Sequence, residues 1–388
     1  MSSHDISRLL AGALSDVHRA VTPIDRRIVM KDRPFVSIII LNYNGQRFLG
    51  NCLSSVLETR YPRFEVVLVD NASTDGSLDI AEKASAKYGK IKIVKNQKNL
   101  GYGPANNVGF KHAIGDYIAF LNNDTAVDPE WLTALVDTME TDGTIGLAQS
   151  LILNMDGQRI QAAGWLVGDY IICLNSVFEK RKLDDDELPD VFEISFAQGT
   201  SMMIRRDLVR EIGLFDARYF WFYDDTYLSF KTWLVGERVV TVSKSIVYHA
   251  GGGTAGFDSP FIRRHNTICF VSLIFDVYWG FLDLTTALFT FSYNLIIESL
   301  KEVLERKKTT RLWASIYAGC WILRNLKYIW KNRLRYLSMA KVSQEVLLSK
   351  FIRIRIPTRI YLVPPPVKLL PQYMLNEIRK CWEALTLA

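Results

Sequence analysis

The fold is decided by a short apolar stretch, VSIIIL at residues 36–41, and by the polar residues NYNG at 42–45 that follow it. Such a run of β-branched residues is typical of a strand that is buried on both faces of a sheet. Further apolar stretches at 64–69, 91–94 and 117–121 predict three more strands, with helical patterns between them. This alternation predicts an α/β fold with a parallel sheet, whose ligands bind at the carboxyl ends of the strands.

Polar clusters follow these strands, and a parallel sheet would bring them to one edge. The clusters are NYNG at 42–45, DNASTDG at 70–76, NLGYGPAN at 99–106 and NNDT at 122–125. The turn and helix-cap preferences of Asn, Asp, Gly and Ser explain any one of them. Four clusters at one edge instead favour a binding site.

The chemistry of the clusters suits a nucleotide bound with a cation. Asp70 could accept a hydrogen bond from a base N–H or a ribose hydroxyl. Gly101 and Gly103 allow the backbone to approach a ligand closely, and the helix that follows favours phosphate at its N-terminus. Asn122 and Asp124 offer oxygen ligands for a hard divalent cation. No G-x-G-x-x-G follows the first strand and no G-x-x-x-x-G-K-[ST] occurs, which disfavours dinucleotide enzymes and P-loop ATPases.

Two downstream features add candidate chemistry. Asp224 and Asp225 adjoin aromatic residues in WFYDDT at 221–226, where burial would raise a carboxyl pKa and suit a general base. An N-cap for a helix that begins near Thr226 is the structural alternative. His249 precedes a glycine run at 251–253. It is a candidate metal ligand, with a purely structural histidine as the alternative.

The net charge of +6 conceals two unlike parts, since residues 301–388 carry +13 and residues 1–300 carry −7. The five scattered cysteines form no C-x-x-C pair, which disfavours a disulfide framework or a zinc site and favours a reducing compartment. Residues 1–33 have no apolar core of a signal peptide and are expected to form a short leader.

From about Ser259 the sequence predicts helices that are rich in aromatic residues. The longest stretch without charge, 284–297, is shorter than the roughly 18–20 residues that span a bilayer. Aromatic residues beside Lys and Arg on amphipathic helices predict association with an anionic membrane surface. Packing on the body of the protein or on a dimer partner is the alternative, and a hairpin that dips into the bilayer stays open. No nucleic-acid-binding module is recognisable, so no nucleic-acid partner is expected.

Taken in order, the clusters resemble the family 2 glycosyltransferases with the GT-A fold. The resemblance covers about residues 35–265 and rests on VSIIILNYN, VDNASTDGS, NLGYGPANN, LNND, GLFD with FYDD, and VYHAGGGT. It is strongest to the rhamnosyl- and galactofuranosyltransferase-like branch, which elongates cell-surface glycans. The resemblance implies transfer of a sugar from a UDP- or dTDP-sugar to a hydroxyl of a lipid-linked or cell-envelope glycan, with inversion of the anomeric centre.

The resemblance also implies roles for individual residues. Asp225 would be the catalytic base, and Asp224 would orient the acceptor or the donor sugar. Contacts to the nucleotide sugar would come from Asn42, Asn44, Asp70, Asn71, Ser73, Gly101, Asn106 and Asn123, with Asp70 on a pyrimidine N3–H. The ligands of Mg²⁺ or Mn²⁺ would be Asn122, Asp124 and His249, and the acceptor side would include Gly199, Thr200 and Trp221. Asn122 stands where the family has an aspartate, and the Gln-x-x-Arg-Trp motif of processive synthases is absent.

The sequence thus predicts three parts, a leader at 1–33, a GT-A catalytic domain at 34–258, and a C-terminal amphipathic helical region at 259–388 that associates with a membrane. The expected location is the cytoplasmic face of a membrane, and a homo-oligomer stays open. A catalytically silent scaffold that binds sugar nucleotides is the alternative function, and a nucleotidyltransferase is a weaker third.

Overall fold

The computed structural model describes residues 33–168, 174–176, 188–216, 224–251 and 260–354, with backbone alone at 174–176, 306, 353 and 354. The predicted leader, apart from Arg33, lies outside these ranges. Trp221, which the resemblance placed on the acceptor side, also lies outside them, as do the residues from 355 onward.

Strands and helices alternate through the first part of the chain, as predicted. The strands are β1 (Val36–Asn42), β2 (Phe64–Asp70), β3 (Ile91–Lys95), β4 (Tyr117–Asn122) and β5 (Thr125–Val127). The helices are α1 (Leu49–Leu57), α2 (Ser77–Tyr88), α3 (Tyr102–His112) and α4 (Trp131–Thr141). Ile38 and Ile40 pack in one hydrophobic cluster with Trp131 of α4, while Ile39 packs in another with Ala105 of α3. Because side chains alternate along a strand, the isoleucine run of β1 fills a core on both faces.

The second part of the chain has shorter strands, followed by long helices. The strands are β6 (Ile145–Asn154), β7 (Ile160–Ala162), β8 (Trp165–Gly168), β9 (Leu174–Ser176), β10 (Val191–Glu193), β11 (Ser201–Arg205), β12 (Arg238–His249) and β13 (Ile352–Ile354). The helices are α5 (Arg206–Ile212), α6 (Asp224–Leu234), α7 (Pro260–Val277), α8 (Phe281–Arg306), α9 (Thr310–Met339) and α10 (Gln344–Phe351).

The central sheet has the order β10-β12-β6-β11-β4-β1-β2-β3, with β5 beside β12 and β7 beside β6. β1 is parallel to both β2 and β4, and β2 is parallel to β3, whereas β11 is antiparallel to β4 and β6. Asn42 pairs with Asp70, and Leu41 pairs with Asn122, so three parallel strands end at one level. The predicted α/β fold with a mostly parallel sheet between helices is confirmed.

The C-terminal helices share a core with the sheet. Cys269 and Leu273 of α7 lie in the same buried cluster as Phe230 of α6. The ring of Tyr336 on α9 packs edge-on against Phe230, with centroids 5.8 Å apart. Arg333 of α9 is buried and donates hydrogen bonds to backbone carbonyls at the end of α7, including that of Trp279 at 2.6 Å. The predicted helical region is therefore present and is packed onto the helix that carries Asp224 and Asp225.

A small second sheet, ordered β13-β8-β9, joins the chain after α10 to strands that precede β10. Over the described ranges, none of the helices combines the length and the apolar character of a membrane-spanning segment. The predicted domain boundary between residues 258 and 259 lies outside the described residues, because 252–259 are not among them.

Candidate functional site

The ends of β1, β2 and β4 are joined by side-chain amides. Asn42 Nδ2 donates to Asp70 Oδ1 at 3.0 Å, and Asn42 Oδ1 accepts from Asn123 Nδ2 at 2.8 Å. The remaining oxygen of Asp70 accepts from the backbone N–H of Ser73 at 3.1 Å. Asn42 is fully buried, so in this arrangement it holds Asp70 and Asn123. Its predicted contact with a nucleoside stays a prediction, and the same is true of Asn123.

The loop after β2 leans on the loop after β1. Ser73 Oγ accepts from the backbone N–H of Asn44 at 3.0 Å, and Asn44 Oδ1 accepts from the N–H of Thr74 at 2.8 Å. Asn44 has a φ of 50°, a left-handed conformation that asparagine tolerates better than most residues. These two loops therefore form one surface at the edge where Asp70 lies.

The third cluster is held by Asn71. Its Nδ2 donates to Asn99 Oδ1 at 2.8 Å, and its Oδ1 accepts from the N–H of Leu100 at 3.0 Å. Gly101 follows with a φ of 83°, which favours glycine, and α3 begins at the next residue. Asn106 is buried and donates to the carbonyl of Tyr102 at 3.1 Å. The N-terminus of α3, which favours anions, therefore starts from the same loop cluster.

The fourth cluster meets His249 because β5 pairs with β12, with Thr125 opposite His249. Asp124 Oδ1 lies 3.2 Å from His249 Nε2, and both side chains are largely buried. His249 Nδ1 lies 2.8 Å from Gln161 Oε1. In the neutral imidazole, an Nδ1–H donated to Gln161 leaves the lone pair of Nε2 facing Asp124.

This donor set fits a divalent cation in part. A carboxylate oxygen and an imidazole nitrogen lie close together, and Gln161 orients the ring as outer partners of metal ligands do. Over the described ranges, no group of three or more His, Cys, Asp or Glu side chains is arranged to hold a metal ion. A cation here would take its other ligands from water and substrate oxygens. The backbone N–H of Asn122 donates to the carbonyl of Thr200 at 3.0 Å. Ligation of a metal ion by the Asn122 side chain stays a prediction.

Asp225 is held from two sides at the start of α6. Its Oδ2 accepts from the N–H of Gly199 at 2.9 Å, and its Oδ1 accepts from the N–H of Thr226 at 2.7 Å. Gly199 lies 26 residues upstream, so Asp225 does more than cap its own helix. Burial raises the pKa of Asp225, while these two N–H groups act in the opposite direction.

Asp224 differs from its neighbour in that it is almost completely buried. It lies against Gly103, where a Cβ would be 2.6 Å from Asp224 Oδ1, so only glycine fits. Burial and then the charge of Asp225 raise the pKa of Asp224 well above its usual range. The pKa of Asp224 is thus raised further than that of Asp225, so Asp225 is the first of the pair to ionise as pH rises.

Two residues that the sequence did not single out complete the site. The hydroxyl of Tyr102 donates to the carbonyl of Gly199 at 2.7 Å, which links the third cluster to the residue that holds Asp225. Tyr102 lies inside NLGYGPAN, between Gly101 and Gly103, and its hydroxyl is the one feature of the sequence that indicates a hydrogen bond from this position. Gln161 lies on the short strand β7 outside every motif, and nothing in the sequence marks it.

Lys231 on α6 is a third residue that was missed. It is buried, and its Nζ donates to the carbonyls at the end of α5, at 2.8 Å for Gly213. Burial and then the nearby Arg335 lower the pKa of Lys231 to about 7. Lys231 thus fixes the start of the GLFD segment against α6.

Residues 37–213 match the family model described as glycosyl transferase family 2. Glycosyltransferase AglE of Haloferax volcanii is 36% identical over 112 residues, which are 28% of this chain and 37% of AglE. The putative glycosyltransferase EpsE of Bacillus subtilis is 38% identical over 112 residues, 29% of this chain and 40% of EpsE. The aligned stretch of this chain thus spans 37% and 40% of the length of these relatives.

Among solved structures, the chain is similar to the mannosyltransferase PcManGT from Pyrobaculum calidifontis, solved in complex with GDP-Man and Mn²⁺. The TM-score is 0.52 at 16% identity, and the alignment covers 90% of this chain and 94% of that chain. This likeness confirms the predicted GT-A fold. The family match and the relatives support the predicted enzyme class, a family 2 glycosyltransferase, for residues 37–213. The rhamnosyl- or galactofuranosyltransferase branch stays a prediction.

Proposed function

We propose that this protein transfers a sugar from a nucleoside-diphosphate sugar to a hydroxyl of a glycan acceptor, which is lipid-linked or part of the cell envelope. The observation that carries the proposal is the placement of Asp225. It is fixed by Gly199 at the sheet edge to which Asp70 and the pair of Asp124 and His249 also belong. A partly buried carboxylate next to the sheet edge with Asp70 and to the pair of Asp124 and His249 suits glycosyl transfer.

Donor binding is assigned to the loops after β1, β2 and β3. Asp70 is oriented by Asn42 and by the N–H of Ser73, and it would accept a hydrogen bond from the base. The N-terminus of α3 would stabilise the anionic diphosphate. A pyrimidine, either uracil or thymine, is the proposed base. The solved neighbour with GDP-Man makes a guanine nucleotide a necessary comparison.

The transfer step assigns the acceptor proton to Asp225. As the acceptor oxygen forms a bond to the anomeric carbon, its proton passes to Asp225. The bond from that carbon to the diphosphate oxygen breaks, and its electron pair leaves with the diphosphate. Attack opposite the leaving group inverts the anomeric centre. The pKa of Asp224 is raised further than that of Asp225, so Asp225 loses its proton first as pH rises, and until Asp224 also ionises a second negative charge does not oppose the anionic donor.

Mg²⁺ or Mn²⁺ is the proposed cofactor, and Asp124 with His249 would hold it. A bound cation supplies positive charge to the departing diphosphate. Gln161 contributes by fixing the ring of His249. The replacement of a family aspartate by Asn122 removes one negative charge from this set, and it therefore predicts a weaker metal affinity than a complete acidic motif would give.

The proposal is tested with a panel of UDP-, dTDP- and GDP-sugars, each with and without Mn²⁺. Thermal unfolding reports binding, and release of the nucleoside diphosphate from the same samples reports turnover. We expect one donor to raise the unfolding temperature and to be consumed, both more strongly with Mn²⁺. Binding without release from any donor, also after lipid-linked and glycan acceptors are added, would contradict transfer and would favour the scaffold, for which the charge lost at Asn122 is the supporting observation. Release of a sugar 1-phosphate with transfer of the nucleotide would favour a nucleotidyltransferase.

A further inference from the structure

Helix α8 presents a continuous line of large apolar side chains to solvent. We call it the apolar stripe, and its members are Leu282, Phe289, Tyr293, Ile296, Leu300 and Leu304. All are exposed except Tyr293, which is partly buried and stacks on Phe289 with ring centroids 6.2 Å apart. Intervals of three, four and seven residues place them on one helical face, about 33 Å long at 1.5 Å per residue.

Helix α9 continues this surface with a different composition. Exposed aromatic and apolar side chains lie beside exposed cations at helical spacing. We call this the aromatic-basic face, and its members are Trp313, Ile316, Tyr317, Arg324, Lys327, Trp330, Lys331 and Leu334. Helix α9 has no Asp or Glu anywhere along its length, so the face is uniformly positive.

The exposure is not a sign of loose packing, because the opposite sides of both helices are buried. Ala287 of α8 and Ala318 of α9 lie within the shared core, and Arg333 caps α7. Arg263 and Glu302 bridge α7 and α8 at 2.8 Å. Each helix is thus fixed in orientation and turns an apolar line outward, an arrangement that marks a binding surface.

Charge decides between the candidate occupants. A second copy of this chain in two-fold contact through α9 would place two positive α9 faces against each other, which is unfavourable. An anionic bilayer offers negative headgroups to the cations and an acyl boundary to the apolar stripe. No described helix is suited to cross a membrane, which is compatible with helices that lie in the plane of the interface.

We propose that the apolar stripe of α8 and the aromatic-basic face of α9 form one docking surface for an anionic lipid bilayer. The two helices lie along the headgroup region without crossing it. This surface would hold the sheet edge close to a lipid-borne acceptor. The acceptor rests on the proposed function, whereas the docking to a bilayer does not.

The test is flotation of the full chain with vesicles of phosphatidylcholine alone or mixed with phosphatidylglycerol, at low and at high salt. We expect binding to the mixed vesicles, reduced but not abolished by salt, and weaker binding to phosphatidylcholine. The variant Phe289→Gln, Ile296→Gln, Leu304→Gln changes three exposed positions to a residue that favours helices. It should bind at least about tenfold more weakly.

The matched control is Tyr88→Gln, Ile114→Gln, Met155→Gln, which changes three exposed apolar side chains outside α8 and α9. It should float like the unchanged chain, and both variants should keep the thermal unfolding temperature. Equal binding by the stripe variant, or no binding of the unchanged chain to mixed vesicles, would overturn the proposal. A dimer that forms without lipid and that only the stripe variant dissociates would also overturn the proposal, because this result assigns the surface to a second copy of the chain. No donor is present, so failure here leaves the proposed sugar transfer standing, and the reverse also holds.

Discussion

The strand ends and the helices α8 and α9 differ in the side chains that they bury and expose. At the strand ends, polar side chains such as Asn42, Asp70 and Asn71 are buried and hydrogen-bonded to their neighbours. On α8 and α9, large apolar side chains such as Leu282 and Leu304 are more than 75% exposed. Of the twenty large apolar side chains exposed in the described ranges, sixteen lie in 260–354.

This difference separates two kinds of function within one hydrophobic core. Burying polar groups costs free energy unless they are satisfied, so an organised polar edge is typical of chemistry. Exposing apolar groups costs free energy in water, so a line of them is typical of a surface that meets an apolar partner. The predictions below test whether the two functions can be altered separately.

Substitution Asp225→Asn should have the largest effect. It keeps the shape of the side chain but removes the base, so transfer should fall about 10²–10⁴-fold while donor binding stays close to normal. Initial rates and donor titrations measure the two quantities. Asp190→Asn, at an exposed ion pair with Lys244, is the control and should leave both unchanged. Normal turnover by Asp225→Asn would rule out this residue as the base.

Substitution Asp124→Ala should weaken Mn²⁺ binding at least about tenfold, since it removes the carboxylate beside His249. Gln161→Leu should weaken Mn²⁺ binding less than Asp124→Ala does, by about 10–100-fold at most, because only the orientation of the His249 ring is lost. Mn²⁺ titrations monitored by donor-dependent thermal shift measure both effects. If neither variant changes the Mn²⁺ dependence, the pair is not a metal site. Vesicle binding should be unaffected in both.

Substitution Tyr102→Phe removes one hydrogen bond to the carbonyl of Gly199. A bond of this kind contributes about 1 kcal/mol, so kcat should fall about fivefold with little change in KM. Tyr88→Phe, at an exposed tyrosine, is the matched control. A rise in KM with unchanged kcat would show that Tyr102 acts on donor binding and does not position Asp225.

Substitution Asp224→Asn should change the pH dependence of stability. Because the pKa of Asp224 is raised in the folded state, folded protein binds this proton more tightly than unfolded protein does. The wild-type protein therefore loses stability as pH rises from about 4 through the folded pKa. The variant lacks this ionisation, so its unfolding temperature should fall less between about pH 5 and about pH 8. Parallel curves would contradict the raised pKa.

The sequence predicted strands β1 to β4 and the meeting of their polar clusters because both follow from local patterns and from the geometry of parallel strands. It did not predict which side-chain amides bond to other residues of the site. Asn42 bonds to Asp70 and Asn123. Asn71 bonds to Asn99 and Leu100. The contact between Tyr328 and Asp216 joins residues 112 positions apart, so no local pattern indicates it. The packing of α7 and α9 against α6 was likewise unpredictable, although the helices and their amphipathic character were predicted.

The stereochemistry of transfer tests the central claim most directly. With Asp225 as the base in a single displacement, the transferred sugar must have the anomeric configuration opposite to that in the donor. Proton nuclear magnetic resonance of the glycosylated product, or of sugar freshly released by slow donor hydrolysis, gives the configuration. Inversion is the predicted result. Retention would require a second nucleophile or another path and would contradict the role of Asp225.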